Sequence, residues 1–399
     1  MVQYANRRKS MTYIIDCMHN IMASLTNKEL ISFGGGAPAK EAYPLELIQQ
    51  LSKLVLEDEG KAMQAFSYGS TIGLPSFRKE IQKNLLAPNG LDTSLDQVMV
   101  TAGGIQALYL VCMLYLNPGD IILVESPTFV HAKLLFDSFE VICKPCLMEN
   151  DGLNLVDLER KIQQYSPKMI YTIPTFQNPT GITMSVEKRK QLAAIVDRYD
   201  VMLLEDDPYS EIRYSGKSIK PIKSYSKSRN IIYANSLSKI FSPGARLGYL
   251  VADSGIIQEL SEMKLAVDTC TNGFTQAICA EFFGGGYYKP HLENLCSLYK
   301  SRRDTMQVAI DKYFPKGTKR TSPDGGYYIW VELPDGLDGR QLLPIANEEI
   351  GITYGSGSDF FVEENNNGNQ YLRLSFAGVE EKIIEESIEK LGAFFYSKI

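Results

Sequence analysis

From Gln97 onward the sequence is a succession of short apolar or β-branched runs: VMVTAGG, IILVES, VICKP, MIYTIP, VMLLED, IIYAN and LGYLVA. Most are separated by stretches of helical periodicity, such as Ser185 to Tyr199. Strands alternating with helices predict a mostly parallel, doubly wound sheet with helices on both faces. Ligands bind such sheets beyond the carboxyl ends of the strands, so the residues that follow each run are where chemistry is expected. At 399 residues the chain is long enough for one large α/β domain and a smaller companion.

The strand ends carry a consistent set of groups. After TAGG comes an almost wholly apolar helix, Gly104 to Leu116, and the turn Thr101 to Ile105 presents backbone N–H groups at a helix start, a seat for phosphate. Packing alone would also explain those glycines. After IILVES comes Phe129, after MIYTIP the amide of Asn178, and after VMLLE the acids Asp206 and Asp207 followed by Tyr209. Acids in such places often only cap helices. After IIYAN comes NSLSKIFSPGARLG, which sets Lys239 among Ser236, Ser238 and Arg246. A partly desolvated ammonium beside another cation loses its proton readily, and the free amine forms a Schiff base with a carbonyl. Ser-Pro-Gly is also ordinary turn vocabulary. Together these ends make one pocket, with a phosphate seat, an aromatic plate, an amide, a carboxylate with a phenol, and a lysine followed by an arginine. Pyridoxal phosphate needs that set.

Elsewhere the signals are weaker. ISFGGGAPAKEAYP brings glycines that permit close backbone approach, or form a plain loop, and Tyr68 sits in an irregular polar stretch from Phe66 to Gly73. Arg373 interrupts an alternating strand pattern, either on a wet face or serving a buried anion. A helical run from Pro290 to Phe314 leads towards a second domain. With 44% hydrophobic and 22% charged residues and a net charge of −6, nothing attracts nucleic acid or anionic membrane in general. No apolar run reaches membrane-spanning length and no secretion signal is visible, so a cytoplasmic protein is expected. The seven scattered cysteines suit reduced thiols. Cys143 and Cys146 form a lone C-x-x-C at the end of a strand-like run, without the second pair a structural zinc would want, and no metal is expected.

The segments ISFGGGAP, TAGGIQAL, PTFQNPTG, LLEDDPY, SLSKIFSPGARLG, DGGYYIW and YLRLSFAG resemble, in order and spacing, the fold-type I pyridoxal-phosphate aminotransferases. They are most similar to the 2-aminoadipate and kynurenine aminotransferase subgroup, and the resemblance spans Ile31 to Gly378. It implies a large domain with a mostly parallel seven-stranded sheet sandwiched by helices, plus a smaller α+β domain. Residues 1–60 would be an arm with part of the small domain, 61–300 the cofactor-binding domain and 301–399 the C-terminal small domain.

The resemblance also assigns roles. Lys239 would form the internal aldimine and then act as general base, and Asp206 would pair with the pyridine nitrogen. Tyr209 and Asn178 would contact the ring 3-hydroxyl oxygen, and Phe129 would stack on the ring. Gly103, Gly104 and Ile105 would contact the phosphate through the backbone, and Ser236, Ser238 and Arg246 through side chains. Tyr68 would reach the phosphate of the neighbouring subunit in a homodimer. Arg373 would clamp the substrate carboxylate, with Gly36 against the substrate.

The implied activity moves the α-amino group of an amino acid to a 2-oxo acid, 2-oxoglutarate foremost. A lyase or decarboxylase on the same scaffold is the alternative. A transcription regulator is a remote one, because only about thirty residues precede ISFGGGAP and a small folded module needs about fifty. Two departures leave the amino donor open: Met11 to Asn27 lacks the arginine that subgroup relatives often carry, and YGSGSDFF (Tyr354 to Phe361) lacks a proline-glycine. An aromatic, aliphatic or specialised donor fits as well as 2-aminoadipate.

Overall fold

The structure, a computed structural model, describes residues 29–362 and 368–399, together with 3–5, 7–11 and 15. Most of the anticipated N-terminal arm, most of the arginine-free stretch, and residues 365–367 of the polar turn anticipated at Asn365 to Asn369 lie outside the described residues. In chain order the strands are β1 (Ile31–Ser32), β2 (Val98–Thr101), β3 (Ile121–Ser126), β4 (Ile142–Glu149), β5 (Gly152–Leu153), β6 (Met169–Thr172), β7 (Met202–Asp206), β8 (Ile231–Ser236), β9 (Gly248–Val251), β10 (Lys319–Arg320), β11 (Tyr328–Glu332), β12 (Ile352–Thr353), β13 (Gly355–Ser356) and β14 (Tyr371–Ser375).

The main sheet has the order β2-β9-β8-β7-β6-β3-β4-β5. Neighbours from β8 through β4 are parallel, and β9 runs antiparallel to both β8 and β2. It is therefore eight-stranded, not seven. The extra strand is β5, a two-residue edge pairing with the end of β4 across a turn that Gly152 enters at φ 112°. Two residues are too few to give a period-two signal, so the sequence does not announce them. Cys143 and Cys146 also lie inside β4 and not at its end, because the strand continues to Glu149. Burial pushes both thiols up to about 12, which keeps them unreactive near neutral pH.

Alternation along the strands gives the sheet two apolar faces. One, formed by residues such as Tyr171, Leu204, Ile232 and Leu250, packs under helices 104–115, 130–138 and 254–267 through Leu108, Phe136 and Ile257. The other face, with Leu123, Ile170, Leu203 and Ile231, meets Leu192 and Val196 of helix 186–199. Helix 104–115 is apolar almost all round because it lies between the sheet and helix 254–267. The 26-residue helix Tyr288–Tyr313 leads on to a four-stranded antiparallel sheet, β10-β11-β14-β13. β1 pairs with β12, and Phe33 donates to Thr353 O at 2.8 Å and accepts from Ser375 N at 2.8 Å. That tie delivers Gly34 to Pro38 to the edge of the main sheet.

One buried cation fixes the loop between β6 and helix 186–199. Arg189 donates to Pro174 O (2.7 Å), Thr175 Oγ1 (2.9 Å), Met184 O (3.0 Å) and Lys220 O (3.1 Å), and its charge faces Glu205 and Asp207. It pins both roots of the loop that carries Asn178. Replacing Arg189 by Met strands four acceptors and leaves two buried acids without their cation, so we expect a loss of about 3 to 5 kcal/mol. Thermal unfolding checks this, and a midpoint within about a degree of wild type would refute it.

Candidate active site

The ends of β6, β7 and β8, the start of helix 104–115, and the segment after β1 close around a cavity of about 460 Å³. Gly36, Gly104, Ile105, Phe129, Asn178, Asp206, Tyr209, Ser236, Ser238, Lys239, Arg246 and Arg373 all line it. Gly103 stands directly behind, at the cap of the helix. Tyr68 does not line the cavity of its own chain and is 91% exposed.

At one end no side chain among the described residues caps the first turn of helix 104–115, which leaves its leading N–H groups available. Gly103 adopts φ 87°, a conformation that favours glycine, and a Cβ there would lie 2.6 Å from Arg246 Nη2 and displace the guanidinium. Arg246, itself at φ 50°, donates to Ala102 O at 3.2 Å and Pro243 O at 3.3 Å. Ser236 donates to Ser238 Oγ at 2.9 Å beside it. Open N–H groups, two hydroxyls and a guanidinium at one helix start are an arrangement that suits an anion.

In the middle, Lys239 Nζ donates to Gly36 O at 2.7 Å and lies 5.0 Å from the ring centroid of Tyr327 and 5.8 Å from that of Tyr209. Burial, with the Arg373 charge nearby, lowers its pKa to about 8. Asp206 is 5% exposed and accepts from the Tyr171 hydroxyl at 2.8 Å. Burial pushes its carboxyl up to about 7, against the Tyr171 bond that lowers it and with the Asp207 charge that raises it. Its chain neighbours face away: Glu205 accepts from Ile222 N (2.7 Å) and Lys223 N (2.9 Å), and Asp207 from Tyr233 Oη (3.0 Å).

At the far end Arg373, 3% exposed, donates to Asn178 Oδ1 at 2.8 Å and to Gly34 O. Its guanidinium lies 4.3 Å from the Tyr328 ring centroid and 4.5 Å from that of Phe360, and its buried Nε has no hydrogen-bond partner among the described residues. Its burial speaks against the wet-face reading of Arg373.

Sequence reasoning missed three polar residues here. Tyr328 lines the cavity, its hydroxyl 3.4 Å from that of Tyr209, and a Cβ on Gly36 would come within 2.0 Å of that oxygen. DGGYYIW contains it, but two adjacent tyrosines in a strand read as core. His131 lines the cavity with its ring 6.0 Å from Phe129, and burial together with Arg246 lowers its pKa, which keeps it neutral. Tyr171 lies below the cavity inside an apolar strand run and carries no local signal.

Against known proteins, residues 28–391 match the family described as aminotransferase class I and II. The chain belongs to that family. It is 37% identical over 380 residues to aromatic-amino-acid aminotransferase 1 of Thermococcus litoralis, covering 94% of this chain and 90% of that one. Among solved structures, it is similar to the Pyrococcus horikoshii kynurenine aminotransferase in complex with PMP, with a TM-score of 0.92 and 34% identity, covering 99% of this chain and 97% of that one. It is also similar to an α-aminoadipate aminotransferase from Thermus thermophilus complexed with N-(5'-phosphopyridoxyl)-L-leucine, with a TM-score of 0.89 and 28% identity, covering 99% and 97%.

The Lys239 environment has a direct consequence in the ligand-free protein. The neutral amine is the nucleophile, so its reactivity rises as pH passes the lowered pKa. Reductive methylation, followed at the Lys239 peptide by mass spectrometry, should titrate with a midpoint near pH 8, against 10.5 for an ordinary lysine. A midpoint near the ordinary value would show the ammonium to be unperturbed.

Proposed function

We propose that the protein is a pyridoxal-phosphate-dependent aminotransferase that moves the α-amino group of an amino acid to a 2-oxo acid, 2-oxoglutarate foremost. The observation that carries this is an amine of lowered pKa, Lys239, in one cavity with the buried Asp206 and with Arg373, whose Nε lacks a hydrogen-bond partner among the described residues. The residues present fit the cofactor group by group. The helix start with Gly103, Gly104 and Ile105, together with Ser236, Ser238 and Arg246, suits a phosphate, and Phe129 offers a ring face. Asp206 suits a pyridinium, Tyr209 and Asn178 a phenolic oxygen, and Lys239 a carbonyl carbon.

When bound, pyridoxal phosphate supplies a carbonyl for the substrate nitrogen and an electron sink for the pair released at the α-carbon. The chain does the rest. Arg373 binds the substrate carboxylate, for which a planar guanidinium gives two parallel bonds. Lys239, once its nitrogen is free, takes the α-proton, and a pKa of about 8 leaves it able both to accept and to return it. Asp206 holds a proton at the ring nitrogen. Tyr328 packs against Gly36 and narrows the cavity beside Lys239.

In this reading the enzyme is a cytoplasmic homodimer, with Tyr68 reaching the phosphate of the neighbouring site. Support comes from the apolar surface around it, where Phe66 is 69%, Met63 63% and Leu56 50% exposed. The chain divides into an arm with part of the small domain (1–60), a cofactor-binding domain (61–300) and a small domain (301–399).

Purified protein given pyridoxal phosphate should develop visible absorbance, and Lys239→Ala should lack it. A single amino acid without acceptor should bleach the wild type and yield pyridoxamine phosphate, and a panel of donors in this half-reaction identifies the substrate. Protein that stays colourless overturns the proposal, and bleaching without pyridoxamine phosphate points to elimination or decarboxylation. Arg373→Lys should raise the amino-acid KM about tenfold or more, since one point charge replaces a two-bond clamp. An unchanged KM would remove the carboxylate role.

A further inference from the structure

The phenol of Tyr171 has no part in the chemistry described so far. Across the parallel ladder Tyr171 stands opposite Leu204, so alternation puts its side chain on the same face as Asp206, two residues further along β7. The ring is fully buried and edge-on to Phe136, with centroids 5.2 Å apart. Its hydroxyl donates to Asp206 Oδ2 at 2.8 Å, the one hydrogen bond found at that carboxylate among the described residues. Asp206 also lines the cavity.

We propose that Tyr171 is the positioning residue for Asp206: its buried phenol locks the carboxylate in one orientation, favours its ionised form, and leaves Oδ1 for the ligand. The proposal deepens the aminotransferase reading and rests on it.

A buried carboxylate with no donor takes up a proton or turns to whatever donor is near. The other ionisable groups around this pair are Asp207 on the same chain segment, Glu125 from β3 and Tyr209 beyond β7. Asp207 and Glu125 are acids and favour protonation of Asp206, so the stabilising hydrogen bond has to come from Tyr171. The chemistry also favours a neutral donor. A lysine or arginine in place of the phenol would neutralise Asp206 and withdraw its attraction for a protonated ring nitrogen. The phenol orients the carboxylate and leaves its charge for the ligand. Burial and the Asp206 charge raise the Tyr171 pKa well above its ordinary value, so the phenol stays a donor throughout the working range.

The test is Tyr171→Phe, which keeps the ring against Phe136 and is first checked by its thermal midpoint. In the apoprotein, infrared difference spectra against Asp206→Asn should show the Asp206 carboxyl titrating at higher pH in Tyr171→Phe than in wild type. In the holoenzyme, the dissociation constant for pyridoxal phosphate should rise about tenfold or more, as for loss of a hydrogen bond to a charged group. With 15N-labelled cofactor, the ring nitrogen should lose its proton at lower pH, while the amino-acid KM stays within about twofold of wild type. An Asp206 titration identical to wild type overturns the proposal, as does an unchanged nitrogen profile with unchanged cofactor retention. If wild type binds no cofactor, the aminotransferase reading and this inference fall together. If wild type binds it and Tyr171→Phe is indistinguishable, this inference alone falls.

Discussion

Two cations, the half-buried Lys239 and the buried Arg373, share one cavity with neither in contact with an acid among the described residues, and much of the site follows from that. Lys239 donates to the carbonyl of Gly36, and Arg373 to the amide of Asn178 and the carbonyl of Gly34. Among the described residues neither forms an ion pair. Burying a charge without one is costly, and the group responds by giving up its proton or by binding an anion strongly. Lysine can do the first and arginine only the second. Burial beside the Arg373 charge thus brings the Lys239 pKa down to about 8, so that a fraction of it is neutral amine near neutral pH, and the guanidinium of Arg373 suits an anion. The faces of Tyr327, Tyr328 and Phe360 soften the cost, since aromatic faces attract cations weakly.

That arrangement depends on segments far apart in the chain. Gly36 and Lys239 are 203 positions apart, and Asn178 and Arg373 are 195. The pairing of β1 with β12 brings Gly34 and Gly36 over the cavity, and β14 carries Arg373 in from the second sheet. The main sheet supplies Asp206, Ser236 and the loop with Asn178. The cavity is therefore a junction between the two sheets, and Gly36 lies where the fit is tightest. A Cβ there would collide with the Tyr328 hydroxyl, which explains a glycine better than any demand for unusual backbone.

The sequence made the main sheet and much of the cavity legible, because doubly wound sheets put ligand-binding residues at strand ends, where motifs such as SLSKIFSPGARLG and PTFQNPTG stand out. What escaped was of three kinds. β5 is too short for any periodicity. Tyr171 and Tyr328 lie within strands, where an aromatic residue is ordinary core vocabulary and only the three-dimensional partner reveals a polar task. His131 follows Phe129 on a helix start, and nothing local indicates that it lines a cavity. Arg373 was ambiguous for a related reason: alternation predicts which face a residue takes, but not whether that face is wet.

Glu205, Asp206 and Asp207 show how far alternation can go. Three consecutive acids at the end of one buried strand would ordinarily repel and protonate, and burial does push Glu205 and Asp206 up to about 7. Turning successive side chains to opposite faces separates their fates. Glu205 is held by two backbone N–H groups, Asp207 by the Tyr233 phenol, and both feel the Arg189 charge. Asp206, alone of the three on the cavity side, receives only a neutral phenol among the described residues. The cation that balances its neighbours lies on the opposite face, so among the described residues Asp206 has no ion-pair partner on the cavity side. Had a cation such as Arg189 packed on the cavity face instead, Asp206 would be one half of a structural ion pair and not an acid open to the cavity.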